Sequence, residues 1–211
     1  MLSAARNMAL SLMLAAGMAV AGVYEDMLHA VNNDDEHMVA QLLKRGVDVN
    51  TVDANGDSLL ALAARRGKSE MVKTLLDARP RVNSRNGRGE TALMLAAFNG
   101  HTDTVRALLA QGAEFNHPGW NPLIYAAARN RMDIARILIG RGAQVDGEAE
   151  NGTTALMMAA REGHLQMVLL LLEHGASINH KTTSGHSALS MAKDQDRREI
   201  VQTLVRAGAV E

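Results

Sequence analysis

His117, His180 and His186 lie in polar connecting segments where an imidazole nitrogen could meet a metal ion or a haem, and thirteen methionines offer soft thioether donors. The chain has no cysteine, which excludes disulfides and thiolate metal sites. His101 and His164 share one context, each directly after a glycine, and that recurrence points to a structural role in a turn. Met94, Met157, Met158 and Met191 recur in one apolar motif and read as core filler. Nucleophile-elbow, phosphate-loop and zinc-protease motifs are missing. Gly87-Arg-Gly89-Glu-Thr-Ala92 has the spacing of a dinucleotide fingerprint, yet Arg81 to Asn86 does not read as the buried strand that must precede one. These residues give no reason to expect an enzyme. A haem or metal carrier built on the histidines and methionines remains an alternative function.

The elements that would position such side chains are copies of one unit. The stretch Thr91 to Asn116, TALMLAAFNGHTDTVRALLAQGAEFN, returns at a period of 33 residues as Ser58 to Asn83 and Thr154 to Asn179, and, after a three-residue deletion, as Asn121 to Asp146. Weaker copies begin near Glu25 and at Ser187, so six units run from Glu25 to Glu211. Each unit carries the grammar of two helices. Ser58, Thr91, Asn121, Thr154 and Ser187 stand where a helix N-cap is wanted, and Pro122 sits at the tolerated first position. Glu70, Asp103, Asp133 and Glu199 favour the positive end of a second helix. Its apolar face recurs as triplets such as Val72/Leu75/Leu76 and Val201/Leu204/Val205. Gly46, Gly112, Gly142, Gly175 and Gly208 follow as left-handed C-caps. The second unit has Arg79-Pro80 there, and a residue before proline is pushed toward extended geometry, so a different turn is expected.

The motifs TALMLAA, TALMMAA, SLLALAA and NPLIYAA within this period resemble the ankyrin-repeat family, whose helix start reads T-P-L-H-x-A. The resemblance spans nearly all of residues 25–211. It implies an all-α solenoid of stacked helix-turn-helix units with projecting β-turn or hairpin tips, degenerate at its first and last units. It also implies a protein-binding module whose concave surface is made of the tips and the ends of the first helices. Carried over position by position, that surface contains Arg65, Arg66, Phe98, Asn99, Arg129 and Arg161 at helix ends, and Asn55, Asp57, Arg85, Arg88, Glu90, Trp120, Asn151, Thr153 and His186 at tips. Phe98 and Trp120 then fall near mid-array among arginines, the composition of binding hot spots. Guanidinium forks suit carboxylates, so the expected partner is a protein with an acidic patch. The alternative is that Trp120 folds down into the gap left by the short fourth tip, Asn116 to Leu123, and that the arginines are a solvated face.

Residues 1–21 break the repeat. Arg6 precedes the uncharged run Met8 to Ala21, which ends Ala19-Val20-Ala21, the small-x-small spacing of a signal-peptidase site. The expectation is a secretory signal cleaved before Gly22, leaving a domain of 22–211 in the periplasm or outside the cell. The run is shorter than the about 20 residues of a spanning helix. With a leader, the chain looks like small periplasmic bacterial ankyrin proteins, which implies either a catalase-type stress enzyme or a secreted toxin enzyme as partner. Without cleavage, an intracellular scaffold is the reading. A net charge of -1 gives no reason to expect nucleic acid.

Overall fold

A computed structural model describes residues 22–210. The expected leader, 1–21, lies outside the described residues. Residues 22–32 (α1) and Glu36–Lys44 (α2) make the first helix pair. Leu59–Arg66 (α3), Ser69–Asp77 (α4), Ala92–Asn99 (α5), Thr102–Ala110 (α6), Pro122–Ala128 (α7), Met132–Gly140 (α8), Ala155–Glu162 (α9), Leu165–Glu173 (α10), Ala188–Asp194 (α11) and Arg198–Arg206 (α12) make the rest. The first helices stack in one layer, α3 on α5, α7, α9 and then α11, and the second helices pack behind them. Among the described residues there are no strands, only the isolated bridges Val52–Ser58 and Glu148–Thr154 in the tips. The architecture is an all-α repeat solenoid.

Local chemistry sets the helix boundaries. The side chains of Ser58, Thr91, Asn121, Thr154 and Ser187 each accept a backbone N–H two or three residues on. All five caps are buried, so water cannot replace them. The turns inside the pairs need a left-handed residue. Gly67, Gly100 and Gly163 supply it with φ 69, 86 and 89°, while Asn130, Asp34 and Asp196 hold φ 52, 61 and 50°. Pairs of alanines, Ala63/Ala64, Ala96/Ala97, Ala126/Ala127 and Ala159/Ala160, are fully buried where the first helices meet. Small residues there let the layer close without aromatic filler. In the triplet of the last described unit Val205 is 53% exposed, since no further unit among the described residues packs on it.

Two ladders of side chains tie each unit to the next. Asn50, Asn83, Asn116, Asp146 and Asn179 accept the backbone N–H of Arg81, Glu114, Gln144, Ser177 and Val210 at 2.7–2.9 Å. This is why an amide or carboxylate ends every copy of the motif. In the second ladder, from the third unit onward, the residue after the inter-helix turn reaches back to the first helix of the unit before, whereas Lys68 of the second unit pairs with the Asp34 carboxylate. His101 contacts the Arg65 carbonyl, Arg131 Nε donates to that of Phe98, His164 contacts that of Ala128 and Arg197 Nε donates to that of Arg161, at 3.0–3.2 Å. A carbonyl only accepts, so both histidines carry their proton on Nε2. A Cβ on Gly67 would overlap the His101 ring, so that turn needs glycine for packing as well as for φ.

The turn at Arg79 corrects the sequence reading. Arg79 takes φ 55°, the same left-handed state as the glycines of the other units, and its N–H bonds Leu76 O at 2.9 Å as Gly46 bonds Leu43 O at 3.0 Å. Pro80 removes only the following bond, which Val47 makes to Leu42 O and Ala113 to Leu108 O. The next residue, Arg81, is held by Asn50, so stacking overrides the local preference. An L-residue held left-handed costs about 1–2 kcal/mol. Arg79→Gly is therefore expected to raise the unfolding free energy by about 0.5–1 kcal/mol after glycine's own entropy is subtracted. Urea unfolding measures it, and an unchanged or lower stability would show that no strain is stored there.

Candidate partner-binding surface

Mid-array, the end of α5, the shortened fourth tip and the middle of α7 bring three aromatic rings together. Phe98, in the last turn of α5, meets Tyr125 of α7 edge-on, centroids 5.7 Å apart at 84°. Trp120, one residue before the Asn121 cap, lies against the other side of Tyr125 at 5.5 Å and 49°. The Arg129 guanidinium sits 4.8 Å above the Phe98 ring. Such a contact is worth about 0.5–1 kcal/mol at an exposed site. Trp120 is half-buried and also packs on the core. An open pocket of about 320 Å³ lies beside this row, lined by Arg65, Arg88, Glu90, Leu95, Phe98, Asn99 and Tyr125.

The polar wall of the pocket is one connected network. Arg65 Nη2 meets Asp57 Oδ2 at 2.6 Å, and Asp57 is 1% exposed. Asn86 Nδ2 donates to Asp57 Oδ1 at 2.7 Å and to Glu90 Oε2 at 2.9 Å. Arg88 Nε donates to Glu90 Oε2 at 3.0 Å, and the Tyr125 hydroxyl donates to Glu90 Oε1 at 3.2 Å. Two carboxylates thus pair two arginines and orient the tyrosine. Burial, then the charge of Glu90 and the hydrogen bond to it, push the Tyr125 hydroxyl up to about 12. Its neutral form is favoured in the fold, so this contribution is complete below the ordinary tyrosine value near 10 and is lost as pH rises from there through about 12. An ultraviolet titration of the folded protein should show Tyr125 ionising near pH 12, and Tyr125→Phe should remove that step. A step for Tyr125 near pH 10 would contradict the burial of its hydroxyl and, with it, the Glu90 contact.

Of the residues singled out in the sequence, Arg65, Arg88, Phe98 and Asn99 line this pocket, Arg129 stacks on it and Trp120 reaches it through Tyr125. Asn99 Nδ2 donates to Leu95 O at 2.8 Å. Arg66 lies apart, donating to Asn32 O of the unit before at 2.7 Å. Arg161 pairs with Glu162 at 2.8 Å and does not line the pocket. Asp57, placed among the partner-facing tips, is instead a buried anchor for Arg65. Tyr125 escaped the sequence reading. Its signal was an aromatic at a slot that holds Leu62, Leu95, Met158 and Met191 in the other units.

The residues proposed for metal chemistry are dispersed. Among the described residues no group of three or more His, Asp or Glu converges on a point. His180 Nε2 is 2.8 Å from Glu148 Oε2, outside hydrogen-bonding geometry, and His186 Nδ1 is 2.9 Å from Ser184 Oγ. Met94, Met157 and Met158 are core residues, and Met191 is half-buried against that core. Residues 81–86, ahead of the dinucleotide-like spacing, form no strand. Among the described residues, no helix is long and apolar enough to cross a membrane.

A profile of the family described as "Ankyrin repeats (3 copies)" matches three overlapping stretches, 27–118, 60–149 and 123–210. No curated protein matches the chain. Ankyrin repeats are generally protein–protein interaction modules, and the family is typically non-enzymatic. With its matches running from residue 27 to residue 210, the chain belongs to the ankyrin-repeat family.

Proposed function

We propose that the protein is a non-enzymatic binding module of the bacterial periplasm that holds one partner protein against the surface between Arg65 and Arg129. The observation that carries the reading is the pocket floored by Leu95, Phe98 and Tyr125 and rimmed by Arg65, Arg88 and the stacked Arg129. An apolar floor with an arginine rim takes an apolar side chain flanked by carboxylates. Arg129 has no carboxylate partner among the described residues, and Arg88 is 71% exposed although paired with Glu90, so both present charge to a partner. The partner is then an acidic surface, on a catalase-type stress enzyme or on a secreted toxin enzyme. Export rests on the composition of residues 1–21.

Deletion of the coding sequence separates the two partner classes. Peroxide sensitivity of the deletion strain supports the stress enzyme, and intoxication by sibling cells supports the toxin. Osmotic-shock release of a chain beginning at Gly22 tests the location. A full-length chain retained in the cytoplasm would return the protein to the role of intracellular scaffold.

A further inference from the structure

The tips of the array form a backbone ladder that stops at the fourth unit. Gly87 N–H of the third tip donates to Asn55 O of the second, and Thr183 N–H of the sixth tip donates to Asn151 O of the fifth, both at 3.0 Å. The same positions at the fourth unit are absent, because Asn116 to Leu123 is three residues shorter than Asn83 to Leu93. Arg88 O, equivalent to Asn55 O, and Glu150 N–H, equivalent to Gly87 N–H, therefore have no hydrogen-bond partner among the described residues. Space follows the same pattern. A Cβ on Gly56 or Gly152 would come within 3.2 or 3.1 Å of the next tip's backbone. At Gly89 of the third tip, as at Gly185 of the last, it would meet nothing within 4 Å. The third tip is thus as open as the end of the array, although it lies in the middle.

The notch has chemically distinct walls. Arg88, 71% exposed, and Arg85 stand on the third tip, and Arg129 lies over Phe98 below. The Glu150 carboxylate lies beside Gly119 of the stump, and the Glu150 N–H makes no hydrogen bond among the described residues. The remaining stump, Gly119, is tied to Glu148 O at 3.2 Å. Trp120 and Tyr125 continue from the stump to the pocket. Unpaired backbone edges of this kind are templates for strand addition.

We propose that a short extended segment of the partner, carrying an acidic residue beside an apolar one, occupies this notch and completes the tip ladder in place of the missing fourth tip. Its N–H donates to Arg88 O and its next C=O accepts from Glu150 N–H. The acidic side chain meets Arg88, and the apolar one enters the pocket over Phe98 and Tyr125. This rests on the reading of the pocket as a docking surface and adds the backbone register and the segment's length.

The test is a phage library of random dodecapeptides panned on the full chain, followed by synthesis of an enriched peptide. Enrichment of an aliphatic or aromatic residue next to Asp or Glu is expected. Two readouts follow. In the first, His117-Pro118-Gly119 is replaced by the six-residue tip of the third unit, Ser84 to Gly89, which closes the notch. Peptide affinity should fall at least about tenfold, with helicity and melting temperature retained. In the second, on the unaltered protein, hydrogen exchange at the Glu150 amide should slow by about tenfold on peptide binding, while Thr183, already bonded, changes little. A peptide weakened by Phe98→Ala but indifferent to the restored tip, with Glu150 exchange unchanged, overturns the notch and leaves the docking surface standing. Indifference to both changes, or no enrichment, overturns the notch and the docking surface together.

Discussion

Replacing Asp57 with alanine is expected to cost about 2–3 kcal/mol of stability, the largest loss from any single polar side chain near the pocket. Asp57 is 1% exposed and holds Arg65 at 2.6 Å and Asn86 at 2.7 Å. Breaking a buried ion pair from one side typically costs about 3–5 kcal/mol, because the orphaned charge stays desolvated. The Arg65 side chain is 31% exposed and can turn toward water, which places the expectation below that range. Asn86 keeps Glu90 as an acceptor, which limits the loss further. Asp57→Asn retains the shape and one acceptor, and should cost about half as much. A double-mutant cycle with Arg65→Ala isolates the pair, and a coupling under about 0.5 kcal/mol would show that the contact is incidental. Urea unfolding of the four proteins is the measurement.

Truncating Phe98 and Trp120 to alanine together is expected to weaken partner binding by at least about 2 kcal/mol, or about 30-fold in Kd. The single changes separate two roles. Phe98 contacts the Tyr125 edge and carries Arg129 on its face, so Phe98→Ala removes an anchor and frees a guanidinium. Trp120 packs on the core as well as on Tyr125, so Trp120→Ala should also lower the melting temperature. Trp120→Phe keeps part of that packing and serves as the control. If affinity follows melting temperature across the set, Trp120 is a plug for the short tip. If Phe98→Ala costs affinity with no change in melting temperature, the anchor role stands.

The helices, their caps and their turns were legible because each is decided within a few residues and repeats. A serine, threonine or asparagine before each first helix from α3 onward, and glycine, asparagine or aspartate at every turn inside a helix pair, leave little freedom. The reading failed where a distant contact outranked a local preference. Arg79 adopts the shared turn although proline follows it, because the next residue is pinned by Asn50. Asp57 looked exposed because it sits at a tip, and its burial depends on Arg65 folding back and on Asn86 arriving from the next unit. Tyr125 was hidden inside the motif itself, at a slot where other units place leucine or methionine in the core. The histidine pair was legible as structural, but its task, capping the preceding helix from the next unit, needs the stack to be seen. Arg65, Arg88, Phe98 and Asn99 were legible from their repeat positions, whereas nothing in those positions names what they would bind.

Docking at the Phe98 pocket is tested by affinity capture from a cell-envelope extract, with the parent chain and the Phe98→Ala variant immobilised side by side and bound proteins identified by mass. One protein with an acidic surface segment should be recovered by the parent and depleted by the variant at equal fold stability. Identical profiles from the two proteins, with both shown to be folded, would contradict it.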